Sequence, residues 1–268
     1  MSVIITGTGS YIPRTVTTND QFNDHDFFNE DGTPLTDDNA VIIRKFKAIT
    51  GIAERRYIKA EKVTSDIAAF AAEKAIADAG IDPETLDYIV VAHNYGDVKH
   101  GSSQSDTVPS LASRVKHLLK IKNPKCVAYD ILFGCPGWVE AMIQCYAFTK
   151  AGMAKRCLVI GAESLSRVVD QHDRDAMIYS DGAGAVILQN DVSAAPGQGI
   201  LNHLSATFAY DEAHFIYFGE SYNKEDRNTR KYIKMYGRKI YEFAITNVPA
   251  AMKECLDQAN IPIEDLKK

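Results

Sequence analysis

Short runs of apolar, β-branched residues alternate along this chain with longer stretches whose apolar positions recur at helical spacing. Val3-Ile4-Ile5 opens as a strand and is expected to break at Gly7-Thr8-Gly9. Asn23 to Asn39 is polar, acidic and turn-rich, with Gly32 and Pro34, and predicts an exposed loop with a short helix near Val41 to Phe46. From Asp66 the period turns helical, with Ile67, Ala71, Ala75 and Ile76 on one stripe; Asp66 suits the first turn and Gly80 the stop. Tyr88-Ile-Val-Val-Ala then reads as a buried strand, and Pro109 to Lys120 as a helix. Cys126-Val-Ala-Tyr-Asp-Ile is the next strand and Gly137 to Gly152 the next helix. Cys157-Leu-Val-Ile-Gly-Ala and Ala183-Gly-Ala-Val-Ile-Leu are two more strands. Three consecutive strand–helix–strand units predict an α/β protein with a mostly parallel sheet covered on both faces.

After Asn190 the pattern restarts. Asp191 to Gly199 is a Gly/Pro-containing connection, Ile200 to Phe208 is strand-like, and Gly237 to Asn260 is helical. Two units follow, residues 1–190 and residues 191–268. Ile261-Pro-Ile-Glu-Asp-Leu repeats the helix-turn signal Ile81-Asp-Pro-Glu-Thr-Leu, which a strand follows. A strand is therefore expected after it, and the second unit is expected to be incomplete.

Composition narrows the function classes. Apolar residues make up 46% and charged residues 24%, as in an ordinary globular enzyme. A formal charge of −5 offers no electrostatic attraction for nucleic acid or an anionic membrane surface. No apolar run is long enough to span a bilayer, and the first residues lack the pattern of a signal peptide. The five cysteines include no Cys-x-x-Cys pair, so a reduced, cytoplasmic setting is expected.

Among them Cys135 stands apart, in the run Asp130-Ile-Leu-Phe-Gly-Cys-Pro-Gly. Pro136 suits a first helical position, which sets Cys135 at or just before a helix N-terminus. There the unpaired N–H groups and the helix dipole favour a thiolate, the form that attacks carbonyl carbon. Gly134 and Gly137 leave room for a substrate. The helix that follows is apolar around most of its circumference, which predicts a thiol at the buried tip of a central helix. The plainer alternative is a small packing residue, the usual lot of a free cysteine; Cys126, Cys145, Cys157 and Cys255, each inside a strand or helix pattern, read that way. Gly7-Thr-Gly9 lacks the third glycine of a dinucleotide loop. His93 and His100 have no partner at metal-ligand spacing and read as a solvated loop, so no metal site is expected. No Gly-x-Ser-x-Gly elbow is present.

Taken in order, several segments are similar to the 3-oxoacyl-acyl-carrier-protein synthase III family, the initiating ketosynthases of the thiolase superfamily. They are Ile5-Thr-Gly-Thr-Gly-Ser-Tyr-Ile-Pro, Thr50-Gly-Ile-Ala-Glu-Arg-Arg, the run around Cys135, Ile160-Gly-Ala-Glu-Ser, Asp173-Arg174, Ser180-Asp-Gly-Ala-Gly-Ala-Val and Gly237-Arg-Lys-Ile-Tyr-Glu-Phe-Ala. The resemblance implies a thiolase-like layered α-β-α-β-α fold of two related halves, with the second half incomplete here, and a homodimer. It implies an acyl group from acyl-CoA or acyl-acyl carrier protein loaded on Cys135. Decarboxylative condensation with malonyl-acyl carrier protein follows, in fatty acid or polyketide-like biosynthesis, with no cofactor. Arg174, Val108 and Gly237 are the substrate-binding positions it implies, Val108 reaching across the dimer toward the partner's acyl pocket.

The departures matter. The family's condensation His and Asn lie beyond the helix that ends near Asn260, and none of the seven histidines here has a matching context. On that reading the chain as given is expected not to complete turnover. Lys45 and Ile49 stand where the family has an adenine-embracing Trp and Arg, Glu242 replaces a Lys near the carrier-protein docking surface, and the excursion from Asn23 to Asn39 is extra. Two other readings stay open: a hydroxymethylglutaryl-CoA-synthase-like or chain-joining condensation on the same fold, and a non-catalytic partner subunit.

Overall fold

A computed structural model describes residues 2–102, 104–193, 195 and 197–267. The first half runs β1 (Ser2–Tyr11), β2 (Thr15–Thr18), α1 (Asn39–Thr50), β3 (Glu54–Tyr57), α2 (Thr64–Ala79) and β4 (Tyr88–Ala92). It continues through α3 (Leu111–Leu118), β5 (Val127–Ile131), α4 (Gly137–Lys150), β6 (Arg156–Ser164) and β7 (Asp181–Asp191). Beyond it lie β8 (Ile216–Gly219), β9 (Tyr232–Met235) and α5 (Gly237–Gln258).

Five strands form the central sheet in the order β1-β7-β6-β4-β5. β5 and β6 flank β4 in parallel, whereas β7 is antiparallel to both β6 and β1. The sheet is thus parallel except for β7. The exception has a local cause: only short 3₁₀ turns, Leu165–Arg167 and Arg174–Ile178, separate β6 from β7. Without a crossover helix the chain returns beside β6 in the opposite direction.

Both faces are covered, as the apolar runs require. On one, α2 and α3 pack Ala68, Ala71, Ala75 and Leu111 against Ile89, Leu158 and Ile160. On the other, α4 packs Ala141, Met142 and Cys145 against Val90, Val159 and Leu188. Burying a side chain the size of Leu158 contributes about 1.5–3 kcal/mol.

Three local expectations are corrected. β1 does not break at its glycines; it continues to Tyr11 with one irregularity between Ile5 and Gly7. The glycines are there because α2 lies directly on the strand. A Cβ on Gly7 would stand 2.6 Å from the Ala79 nitrogen, and one on Gly9 2.5 Å from the Ala75 nitrogen. Residues 200–208 form no strand: Ile200 donates one N–H to the Val3 carbonyl at 2.9 Å, and among the described residues no ladder follows. The 23–39 excursion keeps its polar residues outside but has a core of its own. Phe22, Phe27, Ile42 and Ile43 close around Met177.

Candidate active site

The parallel strands β4, β5 and β6 end on one edge of the sheet, where α/β proteins gather their reactive groups. From β5 the chain runs through Leu132, Phe133 and Gly134 to Cys135 and Pro136, and then into α4. Gly134 takes φ +67, a left-handed conformation that lets the chain reverse, and its carbonyl accepts the Gly137 N–H at 3.0 Å. Pro136 is the N-cap rather than the first helical residue, and its carbonyl accepts from Val139 and Glu140. Cys135 therefore sits one residue before the cap, at the positive end of the helix dipole.

The thiol is exposed, contrary to the buried tip expected from the apolar helix. The reason lies in how α4 spends its apolar surface. Ala141, Met142, Cys145 and Thr149 are buried on the sheet side, and Gly137 is sealed against β4. Trp138, Val139 and Ile143 instead line an open apolar groove of about 600 Å³, shared with residues 200–208 and with Phe243, Val248 and Met252 of α5.

Two tyrosines stand within electrostatic reach of the sulfur. Burial pushes the Tyr95 hydroxyl up to about 12, with Glu163 and Cys135 adding to the effect. Burial likewise raises Tyr179, followed by Asp175, Asp173, Tyr95 and Cys135. Both phenols stay neutral and can donate. Tyr95 stacks on Phe218 of β8, centroids 5.1 Å apart, so the β8–β9 hairpin roofs this side of the site.

Beneath the turn lies a group that the sequence reading missed. His93 is buried, not part of a solvated loop. Gly96 donates its N–H to His93 Nδ1 at 3.0 Å, so Nε2 carries the proton and faces Asp130 Oδ2 at 2.9 Å. The Asp130 carboxylate also accepts the N–H groups of Leu111 and Ala112, at 2.7 and 2.8 Å, at the start of α3. Burial opposes its charge, but the bonds from His93, Ala112 and Leu111 prevail and hold it below the usual carboxylate range. The signal that could have exposed His93 is its place at the C-terminal end of a parallel strand.

Arg174 and Gly237 come together as walls of one cavity of about 380 Å³, with Phe28, Glu30, Asp175, Tyr236, Arg238 and Lys239. Asp175 lies near Gly237, and its carboxyl is raised to about 6 by burial, with Asp173 adding to it. Val108 lies elsewhere: it is 84% exposed and precedes a cis peptide bond to Pro109. Lys45 is engaged by Asp37 at 2.5 Å, and Ile49 projects into solvent. Among the described residues no helix is long and apolar enough to cross a membrane, and no cluster of His, Cys, Asp and Glu is arranged to hold a metal ion.

Residues 129–207, which run from within β5 through the Cys135 turn, α4, β6 and β7, match the family described as 3-oxoacyl-[acyl-carrier-protein] synthase III. A beta-ketoacyl-[acyl-carrier-protein] synthase III of Erythrobacter litoralis is 33% identical over 264 residues, 98% of this chain and 74% of that protein. One from Clostridium beijerinckii is 34% identical over 270 residues, 99% of this chain and 75% of its own length. The crystal structure of the 3-oxoacyl-[acyl-carrier-protein] synthase III of Aquifex aeolicus superposes with a TM-score of 0.76 at 29% identity, covering 98% of this chain and 74% of that one. A priming beta-ketosynthase of the R1128 polyketide pathway, 21% identical with a TM-score of 0.75 over 99% of this chain and 72% of its own, shares the fold.

Proposed function

The chain belongs to the beta-ketoacyl-[acyl-carrier-protein] synthase III family of condensing enzymes with a thiolase-like fold, and from that premise we propose that Cys135 is its acyl acceptor. The observation that carries the assignment is the exposed thiol on the Gly134 turn, one residue before the cap of α4. The thiolate attacks the carbonyl carbon of an acyl thioester, on CoA or on acyl carrier protein. A new C–S bond forms, the bond to the carrier sulfur breaks, and the carrier leaves as a thiolate that takes a proton from solvent. The second step is the one the family resemblance implies, for which none of the seven histidines of this chain has the matching context: malonyl-acyl carrier protein loses carbon dioxide. The electron pair of the broken C–C bond attacks the acyl carbon, and Cys135 departs as thiolate.

Arg174 and Gly237 line the cavity that takes the carrier end of the donor, and the 23–39 excursion supplies its opposite wall through Phe28 and Glu30. Residues 1–190 are the half that bears the nucleophile, and residues 191–268 belong to the second half.

The working form is a homodimer. β5 is an edge strand of the sheet, and its Val127 and the adjoining Leu132 are 46% and 65% exposed, a surface suited to pairing with a second copy. Val108, also exposed, is the residue offered to the partner's acyl pocket. Free thiols at all five cysteines suit a reducing compartment, the cytoplasm.

Incubation with acetyl-CoA, octanoyl-CoA and octanoyl-acyl carrier protein, followed by peptide mass spectrometry, tests the assignment. An acyl adduct on the Cys135 peptide, lost in Cys135→Ala, is expected. No adduct from any donor, or an adduct that persists in Cys135→Ala, refutes it.

A further inference from the structure

His93 and Asn94 are consecutive residues where β4 ends, and each holds a carboxylate on a different neighbouring strand. His93 Nε2 donates to Asp130 on β5 at 2.9 Å. Asn94 donates both its backbone N–H, at 2.8 Å, and its Nδ2, at 2.9 Å, to Glu163 Oε2 on β6. The backbone adds a further tie, His93 N–H to the Ile131 carbonyl at 3.3 Å. The ends of three adjacent parallel strands are thus joined by two residues of the middle one.

The tip of α4 rests on the points these ties fix. A Cβ on Gly137 would stand 3.3 Å from that of Ala92, the residue before His93. Trp138 Cβ lies 3.1 Å from where a Cβ on Gly161 would be, on the strand that carries Glu163. Asp130 belongs to β5, which runs directly into the Cys135 turn; its Oδ1 accepts the Ala112 N–H at the start of α3, and its Oδ2 takes the Leu111 N–H beside His93. A shift of β4 against β5 or β6 therefore moves the Cys135 turn relative to the helix it caps.

We propose that His93 and Asn94 are positioning residues that hold the Cys135 sulfur at the α4 terminus by clasping Asp130 and Glu163. The proposal rests on Cys135 as the reactive thiol. Neither residue touches the substrate; each acts through the strand ends under the turn. His93 bears the buried half of the clasp and Asn94 the exposed half. A sulfur displaced from the helix end loses alignment with the carbonyl it attacks, and misplacement by about 1 Å costs on the order of 100-fold in rate.

The test compares wild type with His93→Ala, His93→Gln and Asn94→Ala. Each is followed by iodoacetamide labelling of Cys135 from pH 6 to 10, by single-turnover acyl transfer from acetyl-CoA, and by thermal unfolding. Loss of the clasp is expected to slow Cys135 alkylation at a fixed pH by about 3-fold or more, as the sulfur leaves its place at the helix end. Acyl transfer at saturating donor is expected to fall about 10-fold or more. His93→Gln, whose amide can still donate to Asp130, is expected to recover much of both. Asn94→Ala, on the exposed side, decides the matter should His93→Ala fail to fold. Folded variants with the wild-type alkylation profile and acylation rate overturn the proposal, whatever happens to their melting temperatures. If wild type takes no acyl group but the variants still alkylate more slowly at Cys135, the acyl-acceptor assignment fails and the clasp stands.

Discussion

Lys234 presses its ammonium against the carboxylate of Asp170, Nζ to Oδ2 at 2.6 Å, with no part of the lysine side chain exposed. Asp173 lies 3.2 Å away, and the Tyr222 ring centroid lies 3.4 Å from the same nitrogen. Asp170 is further fixed by Ser221 Oγ and the Tyr222 N–H. This cluster fastens the β8–β9 hairpin, and with it the Phe218 that stacks on Tyr95, to the loop that carries Arg174. Removing one member of a buried ion pair leaves the other charge uncompensated, at a cost of about 3–5 kcal/mol. Lys234→Met should lower stability by that amount in urea unfolding, and Lys234→Met with Asp170→Asn should recover part of it. Equal stability of Lys234→Met and wild type would show that the buried pair holds nothing.

Asp175 supplies a pH-dependent term. Its carboxyl is raised from 3.8 to about 6, first by burial and then by Asp173. A carboxyl raised on folding contributes stability that is fully present below about pH 3.8 and is lost as pH rises through about 6. At pH 7 the charged form costs the fold up to about 3 kcal/mol, from about 1.4 kcal/mol per pH unit. Asp175→Asn should therefore melt higher than wild type at pH 7.5, with the difference shrinking to nothing by about pH 4. Melting curves of the two proteins across that range measure it, and a constant offset would contradict the raised value.

Much of this architecture was readable from the order of residues. Strands β4 to β7 and helices α2 to α5 announce themselves through β-branched runs and helical stripes, because local spacing and burial demand the same structure. What was hidden depends on contacts between distant residues. The direction of β7 follows from a short connection, not from its own composition. Gly7 and Gly9 look like a strand break until α2 is laid across them. The exposure of Cys135 follows from which face of α4 meets the sheet, which an all-round apolar helix does not reveal. His93 is polar and follows a strand, so it reads as loop; its burial comes from Asp130, on the next strand. Arg174 and Gly237, paired only by resemblance in the sequence, do share a cavity, whereas Val108 stands apart.

Arg55 is a buried cation whose fork is filled by neutral oxygens. Nε and Nη2 donate to the Met177 carbonyl at 3.1 and 2.8 Å, Nη2 also reaches Asn19 Oδ1 at 2.7 Å, and Nη1 reaches the Thr17 carbonyl at 3.1 Å. Its guanidinium carbon lies 4.9 Å from the Phe22 ring centroid. A lysine carries the charge but cannot span these acceptors. Arg55→Lys should cost about 2–4 kcal/mol, because buried acceptors lose charged donors. Loosening of the 174–178 turn should accompany it, seen as faster amide exchange at Met177. Wild-type stability and exchange in this variant would mean that charge alone suffices.

The glycines of β1 allow a test with an internal control, since Ser10 is paired with Gly184 on β7 and Gly9 with the adjacent Ala185. A Cβ on Gly9 would overlap the Ala71 carbonyl oxygen and stand 2.5 Å from the Ala75 nitrogen, both in the backbone of α2, which cannot swing aside as a side chain would. A Cβ on Gly184 would meet nothing within 4 Å. Both residues lie in the same antiparallel pair, so strand propensity favours alanine over glycine about equally at the two sites. Only the overlap with the helix separates them. Gly9→Ala should lose about 3 kcal/mol or more as α2 is forced off the sheet, the upper range for overpacking. Gly184→Ala should stay within about 0.5 kcal/mol of wild type or gain slightly. Thermal unfolding of the two variants side by side measures the difference. Equal melting temperatures would mean that α2 does not lie on β1 as described, and would remove the stated reason for glycine at position 9.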